Sequence, residues 1–169
     1  MKKRFTIALA ALAIFCGAAT AQQKPSPAAT ATGTLANGTV ITINYSAPAL
    51  KGRTIGKDVE PMEGKVWRAG ANDATVFEVS KDVTINGKKL PAGKYGFFTI
   101  NNGKEWTLIF NKTWKQWGAF NYKEADDQLR VNVQAAQSAS ASERLTYTVD
   151  QKGSVSLNWG TVLVSFTVK

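Results

Sequence analysis

Histidine is absent from this chain, and cysteine occurs once, at Cys16. Without imidazole there is no Ser-His-Asp or Cys-His catalysis, and without a second thiol no internal disulfide. The common zinc sites, built from imidazole and thiolate, are excluded with them. Long apolar runs are scarce as well. The stretch from Phe5 to Ala19 falls short of the ~20 residues that a membrane-spanning helix needs. No EF-hand loop, regular aspartate spacing or cofactor-binding motif is visible, so neither a metal nor a cofactor is expected.

The apolar stretch has a purpose of another kind. Lys2, Lys3 and Arg4 precede it, and Ala19-Thr20-Ala21 follows as a small-x-small cleavage site before Gln22. These three parts predict a signal peptide over residues 1–21 and a periplasmic or extracellular protein with no membrane span after cleavage. An uncleaved anchor is the alternative. Lipidation at Cys16 is disfavoured because bulky Phe15 precedes it. Removing the leader takes three positive charges from the total of +9, leaving 18 basic against 12 acidic residues. The lysines are scattered rather than clustered, which describes a solvated basic surface and not a nucleic-acid partner.

Residues 22–34 are rich in Ala, Thr, Pro and Gln without apolar period, and are expected to be a disordered lead-in. Residues 35–169 have the length of one domain with one core. Their periodicity is two. Ile41, Ile43 and Tyr45 alternate with polar or exposed-type positions, as do Leu129, Val131 and Val133, and Leu145, Tyr147 and Val149. Strands with one face on a core and one in water have this pattern. Asn86-Gly87, Asn102-Gly103 and Lys152-Gly153 stand between the runs as hairpin turns, and Pro91-Ala92-Gly93 reads as a further tight turn. Eight or nine short strands follow, with no long helix. The predicted fold is all-β, an antiparallel β-sandwich, with a closed barrel as the other solution.

Two long connections interrupt the strands, at 46–72 and 111–128, and long structured loops are where binding concentrates. Ala135–Ser142 is expected to be a linker on the surface. In the second loop Trp114, Trp117 and Tyr122 offer ring faces for stacking on a sugar or another planar ligand. The competing and favoured reading makes these rings the roof of the core, with Gly118 beside Trp117 marking tight packing. In the first loop, Trp67, Arg68 and Asn72 form a second constellation, where Arg68 would clamp a carboxylate or phosphate and Lys112 would be a companion charge. The structural alternative stacks Arg68 on Trp67 and uses Asn72 to make a turn. Paired carboxylates are the remaining route to catalysis, with Glu105, Glu124, Asp126 and Asp127 as candidates. Solvated charge explains them more simply, and no residue is assigned a catalytic role.

Several blocks in order carry a family resemblance. Gly64-Lys65-Val66-Trp67-Arg68-Ala69-Gly70-Ala71-Asn72, the run Asp82–Gly96, Trp106–Lys112, Trp117-Gly118 and Trp159 resemble the exported bacterial family called domain of unknown function 2911. The similarity covers roughly Asn44 to Val168. The chain departs from that pattern at Ala47-Pro48, where the family has Arg-Pro, and at Met62-Glu63, where it has Pro-Tyr. The resemblance implies the fold, export and domain boundaries, and supplies no activity. The reading that follows is an exported noncatalytic module binding a glycan, peptide or small anionic ligand through the two loops. Its alternatives are a carboxylate-dependent hydrolase of envelope polysaccharide and an assembly partner that pairs through a sheet edge.

Overall fold

The computed structural model describes residues 26–169, and the leader expected over 1–21 lies outside the described residues. Ten strands follow one another: β1 (Ala28–Thr34), β2 (Val40–Ser46), β3 (Val66–Trp67), β4 (Thr75–Val79), β5 (Val83–Ile85), β6 (Lys88–Leu90), β7 (Gly93–Asn102), β8 (Glu105–Asn111), β9 (Asp127–Val149) and β10 (Ser154–Thr167). The one helical element among the described residues is a 3-10 turn at Glu124–Asp126. No helix among them is long and apolar enough to cross a membrane.

The architecture is all-β and antiparallel, as the period of two requires. One sheet runs β1-β2-β4-β7-β8-β9-β10, with β3 added beside β7, while β5 and β6 form a separate hairpin. The sheet curls into a half-barrel, so its two limbs face each other as sandwich layers do. Its first strand approaches the ninth: a Cβ on Gly33 would lie 2.5 Å from Val149 Cγ1. Close by, the Tyr45 and Tyr147 rings meet edge to face at 4.7 Å, and the Leu145 amide donates to the Pro48 carbonyl at 2.9 Å.

The expected turns form. Asn102-Gly103 joins β7 to β8, and Asn86-Gly87 joins β5 to β6 with φ of 46° and 85°. Two positive φ angles suit the right-handed twist of the flanking strands. Two other segments differ from expectation. Residues 28–34 are not part of a disordered lead-in but strand β1, paired with β2 in unbroken register from Ala28↔Ser46 to Thr34↔Val40. Its inward residues Ala29, Ala31 and Gly33 are small, so the strand is held by its ladder and by close approach rather than by large apolar side chains. Ala135–Ser142 is likewise strand, in the middle of β9. Its pairing with β10 jumps from Gly160↔Ser142 to Val162↔Gln137, which leaves residues 138–141 bulged opposite Thr161.

The core fills the inside of the curl. Phe77, Phe97, Phe110 and Phe166 pack with centroid separations of 5.1–6.1 Å, and Trp67 stacks on Trp159 at 5.8 Å. Buried rings of this size dominate the apolar area removed from water. A smaller cluster of Ala74, Phe98 and Ile109 lies on the opposite face of β7 and β8, covered by Val66, Ala119 and Tyr122. The central hairpin is therefore covered on both faces.

Candidate functional site

The 46–72 connection leaves β2 and returns to it, the Ala71 amide donating to the Ser46 carbonyl at 3.1 Å. On its return it contributes β3, where Trp67 pairs with Thr99 and turns its ring inward. Trp67 is 2% exposed, and its Nε1 donates to the Gly70 carbonyl at 3.1 Å. Its ring belongs to the core and cannot stack on a ligand. Asn72 adopts φ 60°, donates from Nδ2 to the Ser26 carbonyl at 3.3 Å, and accepts from the Gly118 amide at 3.0 Å. It makes the turn that joins the two loops. Arg68 is half-buried with no hydrogen-bond partner for Nε among the described residues. Burial lowers its pKa, with Glu60 acting in the opposite direction. Lys112 is exposed, and its amide donates to the Asp126 carbonyl.

The aromatic loop is wetter than its core reading predicts. Trp114, Trp117 and Phe120 are 38%, 59% and 84% exposed. Trp117 bridges its backbone to Asp73, so the loop is fixed while the indole points outward. The Lys94 ammonium lies 5.6 Å from the Trp114 ring centroid, a cation–π distance. Tyr122 alone behaves as expected of a packed ring, 5.2 Å from Phe98. Its hydroxyl donates to Asp127 Oδ2 at 2.7 Å and accepts from Arg130 Nη2 at 2.6 Å. Burial first, and then the bond to Asp127, push its pKa up to about 12. Arg130 also pairs with Asp127 at 2.6 Å and with Glu124 at 3.2 Å. The loop carries three lysines (Lys112, Lys115, Lys123) and three acids (Glu124, Asp126, Asp127), which leaves its charge balanced.

Glu105 does not form a carboxylate pair with the acids of the second loop; Glu124 and Asp127 are close to each other but share Arg130 as a common partner. Glu105 pairs with Gln134 at one end of the β8–β9 ladder, and Asn111 pairs with Asp127 at the other. Six strand steps separate them by roughly 20 Å, against the ~5–9.5 Å that glycoside hydrolysis uses. Each acid is engaged locally: Glu105 by Asn132, Glu124 by Arg130, Asp126 by Thr113, Asp127 by Asn111 and Arg130.

A concavity lies elsewhere. A cleft of about 700 Å³ opens between the Leu50–Ile55 part of the first loop, the β7–β8 turn and the β9–β10 bulge. Leu50, Ile55, Trp106, Ala135 and Val162 give it apolar walls, and Arg53 and Lys104 bring two cations. No carboxylate of the described residues lines it. Arg53 is held in place because Nε donates to the Leu50 carbonyl at 2.9 Å and Nη2 to the Ala49 carbonyl at 2.8 Å. Asn101 ties the turn to the loop, its Nδ2 donating to the Pro61 carbonyl at 3.4 Å and its Oδ1 accepting from the Gly103 amide at 2.9 Å. A cleft of this size with mostly apolar walls and a few placed polar groups has the form of a small-molecule site.

A family model described as protein of unknown function (DUF2911) matches residues 26–168. The chain belongs to that family. The DUF2911 match begins at Ser26, ahead of β1, so the first strand is part of the family domain and the similarity extends beyond the Asn44 start expected from the motifs. No curated protein and no solved structure matches the chain.

Within this DUF2911 domain the expected site residues divide. Trp114 and Trp117 lie on the loop that leaves the Asn111 end of β8, whereas the cleft lies at the Glu105 end. Arg53 and Lys104 were not singled out by the sequence. The available signal was weak: one arginine in Lys51-Gly52-Arg53 and one lysine after a hairpin turn, directly before Glu105.

Proposed function

We propose that this protein is a noncatalytic binding module that takes a small anionic ligand into the cleft beneath the 46–72 loop. The observation that carries this reading is the pairing of two cations with apolar walls and no lining carboxylate. An anion entering there meets no charge of its own sign and displaces no ion pair, since neither Arg53 nor Lys104 forms one among the described residues. The separation of Glu105 from Asp126 and Asp127 supports a binding role over hydrolysis through those acids. The leader pattern at Lys2–Ala21 supports export, which places the ligand in the periplasm or outside the cell.

The aromatic loop supports a second reading, in which a neutral glycan stacks on Trp117 and Phe120. Their exposure and the loop's balanced charge favour an uncharged partner over an anionic one.

A thermal-shift screen of small organic anions and neutral oligosaccharides separates the two. Ligands that bind only the native state raise the midpoint. The cleft reading predicts an anion whose shift disappears in Lys104→Ala and persists in Trp117→Ala. A hit with the opposite dependence overturns it in favour of the aromatic surface.

A further inference from the structure

The walls of the cleft say more about its ligand than its charge does. Apolar side chains come from four separated segments: Leu50 and Ile55 from the loop, Trp106 from β8, Ala135 from β9 and Val162 from β10. Leu50, Ile55, Ala135 and Val162 are partly buried and pack against the main core, and Trp106 is part of that core. The cleft is thus an opening into the edge of the core rather than a polar furrow on its surface. The β9–β10 register shift around residues 138–141 borders it, and the small residues Ala136, Ala141 and Gly160 line it.

The polar groups are confined to the mouth. A guanidinium has five N–H donors in a planar fork. In Arg53 two of them are bonded to the Leu50 and Ala49 carbonyls, which fixes the plane and leaves three for an incoming oxyanion. Lys104 adds an exposed ammonium at the adjacent turn. A free inorganic anion would meet these two cations and leave the apolar walls wet. A neutral apolar molecule would cover the walls and leave the cations unanswered. A molecule with both parts satisfies both.

We infer that the cleft takes an amphipathic monoanion, with a carboxylate at Arg53 and Lys104 and a hydrocarbon body against Leu50, Ile55, Trp106 and Val162. This rests on the cleft being the binding site and adds the chemical class of its occupant. The volume of about 700 Å³ is within the ~300–1,000 Å³ of sites that enclose small organic molecules.

Isothermal titration of the protein with hexanoate, octanoate, decanoate, 1-octanol and inorganic phosphate tests it. The expected result is one site per chain, tightening about three- to fourfold for each added methylene, as burial of hydrocarbon requires. Lys104→Met is expected to weaken octanoate about tenfold and to leave 1-octanol unchanged. That variant spares the Arg53 bonds to the loop, and circular dichroism verifies its fold. Ala136→Phe, which fills the cleft from a solvent-facing position, is expected to abolish binding.

The failures are distinct. If 1-octanol binds as tightly as octanoate, the carboxylate assignment falls and the cleft remains a ligand site. If phosphate matches octanoate and chain length has no effect, the hydrocarbon assignment falls and an anion site remains. If octanoate binds equally well to Ala136→Phe, or no probe binds, the cleft itself is the wrong place.

Discussion

Two tryptophans show how differently one residue type behaves in this molecule. Trp67 stacks on Trp159 inside the curl, whereas Trp117 stands outward from a loop that is fixed through its backbone. Truncation to alanine is therefore expected to cost about 3–5 kcal/mol at Trp67, the usual range for a large buried ring. At Trp117 the expected cost is less than about 1 kcal/mol, because little area is removed from the interior. Urea denaturation of the two variants measures both, and similar losses would contradict the assignment. Tyr122 gives a prediction in pH. Its pKa is raised to about 12, so the folded state holds the phenolic proton more tightly than the unfolded chain, whose pKa is ~10. The stabilisation is fully present below pH ~10 and is lost as pH rises towards 12. The buried Tyr147, also raised, acts in the same direction. Tyr122→Phe is expected to lower stability by about 1–2 kcal/mol at neutral pH and to flatten the alkaline fall, as measured by unfolding at pH 8, 10 and 11. An unchanged alkaline slope would remove Tyr122 from the account. Which aromatics are core and which are exposed was not legible in the sequence, since Trp67 and Trp117 have similar neighbourhoods of Gly, Lys and Ala.

At the scale of elements, the strands and turns were legible where large side chains alternate and Asn-Gly punctuates them. β2 and the two ends of β9 show the alternation, and the β7–β8 hairpin, with large side chains on both faces, is marked by its Asn-Gly turn. β1 was not legible, because Ala29, Ala31 and Gly33 face inward and carry no hydropathic signal. The same holds for the middle of β9, where Ala and Ser form a bulged strand that resembles a linker. The correction at β1 is testable. A chain beginning at Leu35 loses the whole β1–β2 ladder and exposes the β2 edge, so it is expected to unfold at lower urea than one beginning at Gln22, and to aggregate. Equal midpoints would restore the dispensable lead-in. The β9–β10 turn gives a sharper test. Gly153 has φ 83°, and a Cβ there would fall on the Val168 carbonyl oxygen. The Val168 amide in turn donates to the Gly153 carbonyl at 2.8 Å. Gly153→Ala must therefore displace the terminal strand, at an expected cost above about 2 kcal/mol, again read by denaturation. A neutral substitution would mean that the turn and the end of β10 move apart freely.

The whole molecule explains why the candidate site was only partly readable. The cleft is assembled from segments near residues 50, 104, 136 and 160, which the curl of the sheet brings together and the linear order keeps apart. Its cations are single residues and its walls are partly alanine and glycine, so no local motif announces it. The constellation that does stand out, Trp67 with Arg68 and Asn72, is largely structural: a core ring, a turn and one half-buried arginine. The aromatic loop, the other prominent feature, stands at the opposite end of the β8–β9 ladder. Two surfaces thus compete as the ligand seat, and their separation makes the choice measurable. Amide chemical-shift mapping of the labelled protein titrated with octanoate distinguishes the cleft from the aromatic loop. Binding in the cleft is expected to perturb the amides of Arg53, Gly103, Lys104, Ala136 and Thr161 and to leave those of Trp114, Trp117 and Phe120 unmoved. Perturbation confined to the aromatic loop, with Lys104 and Ala136 unaffected, would contradict it.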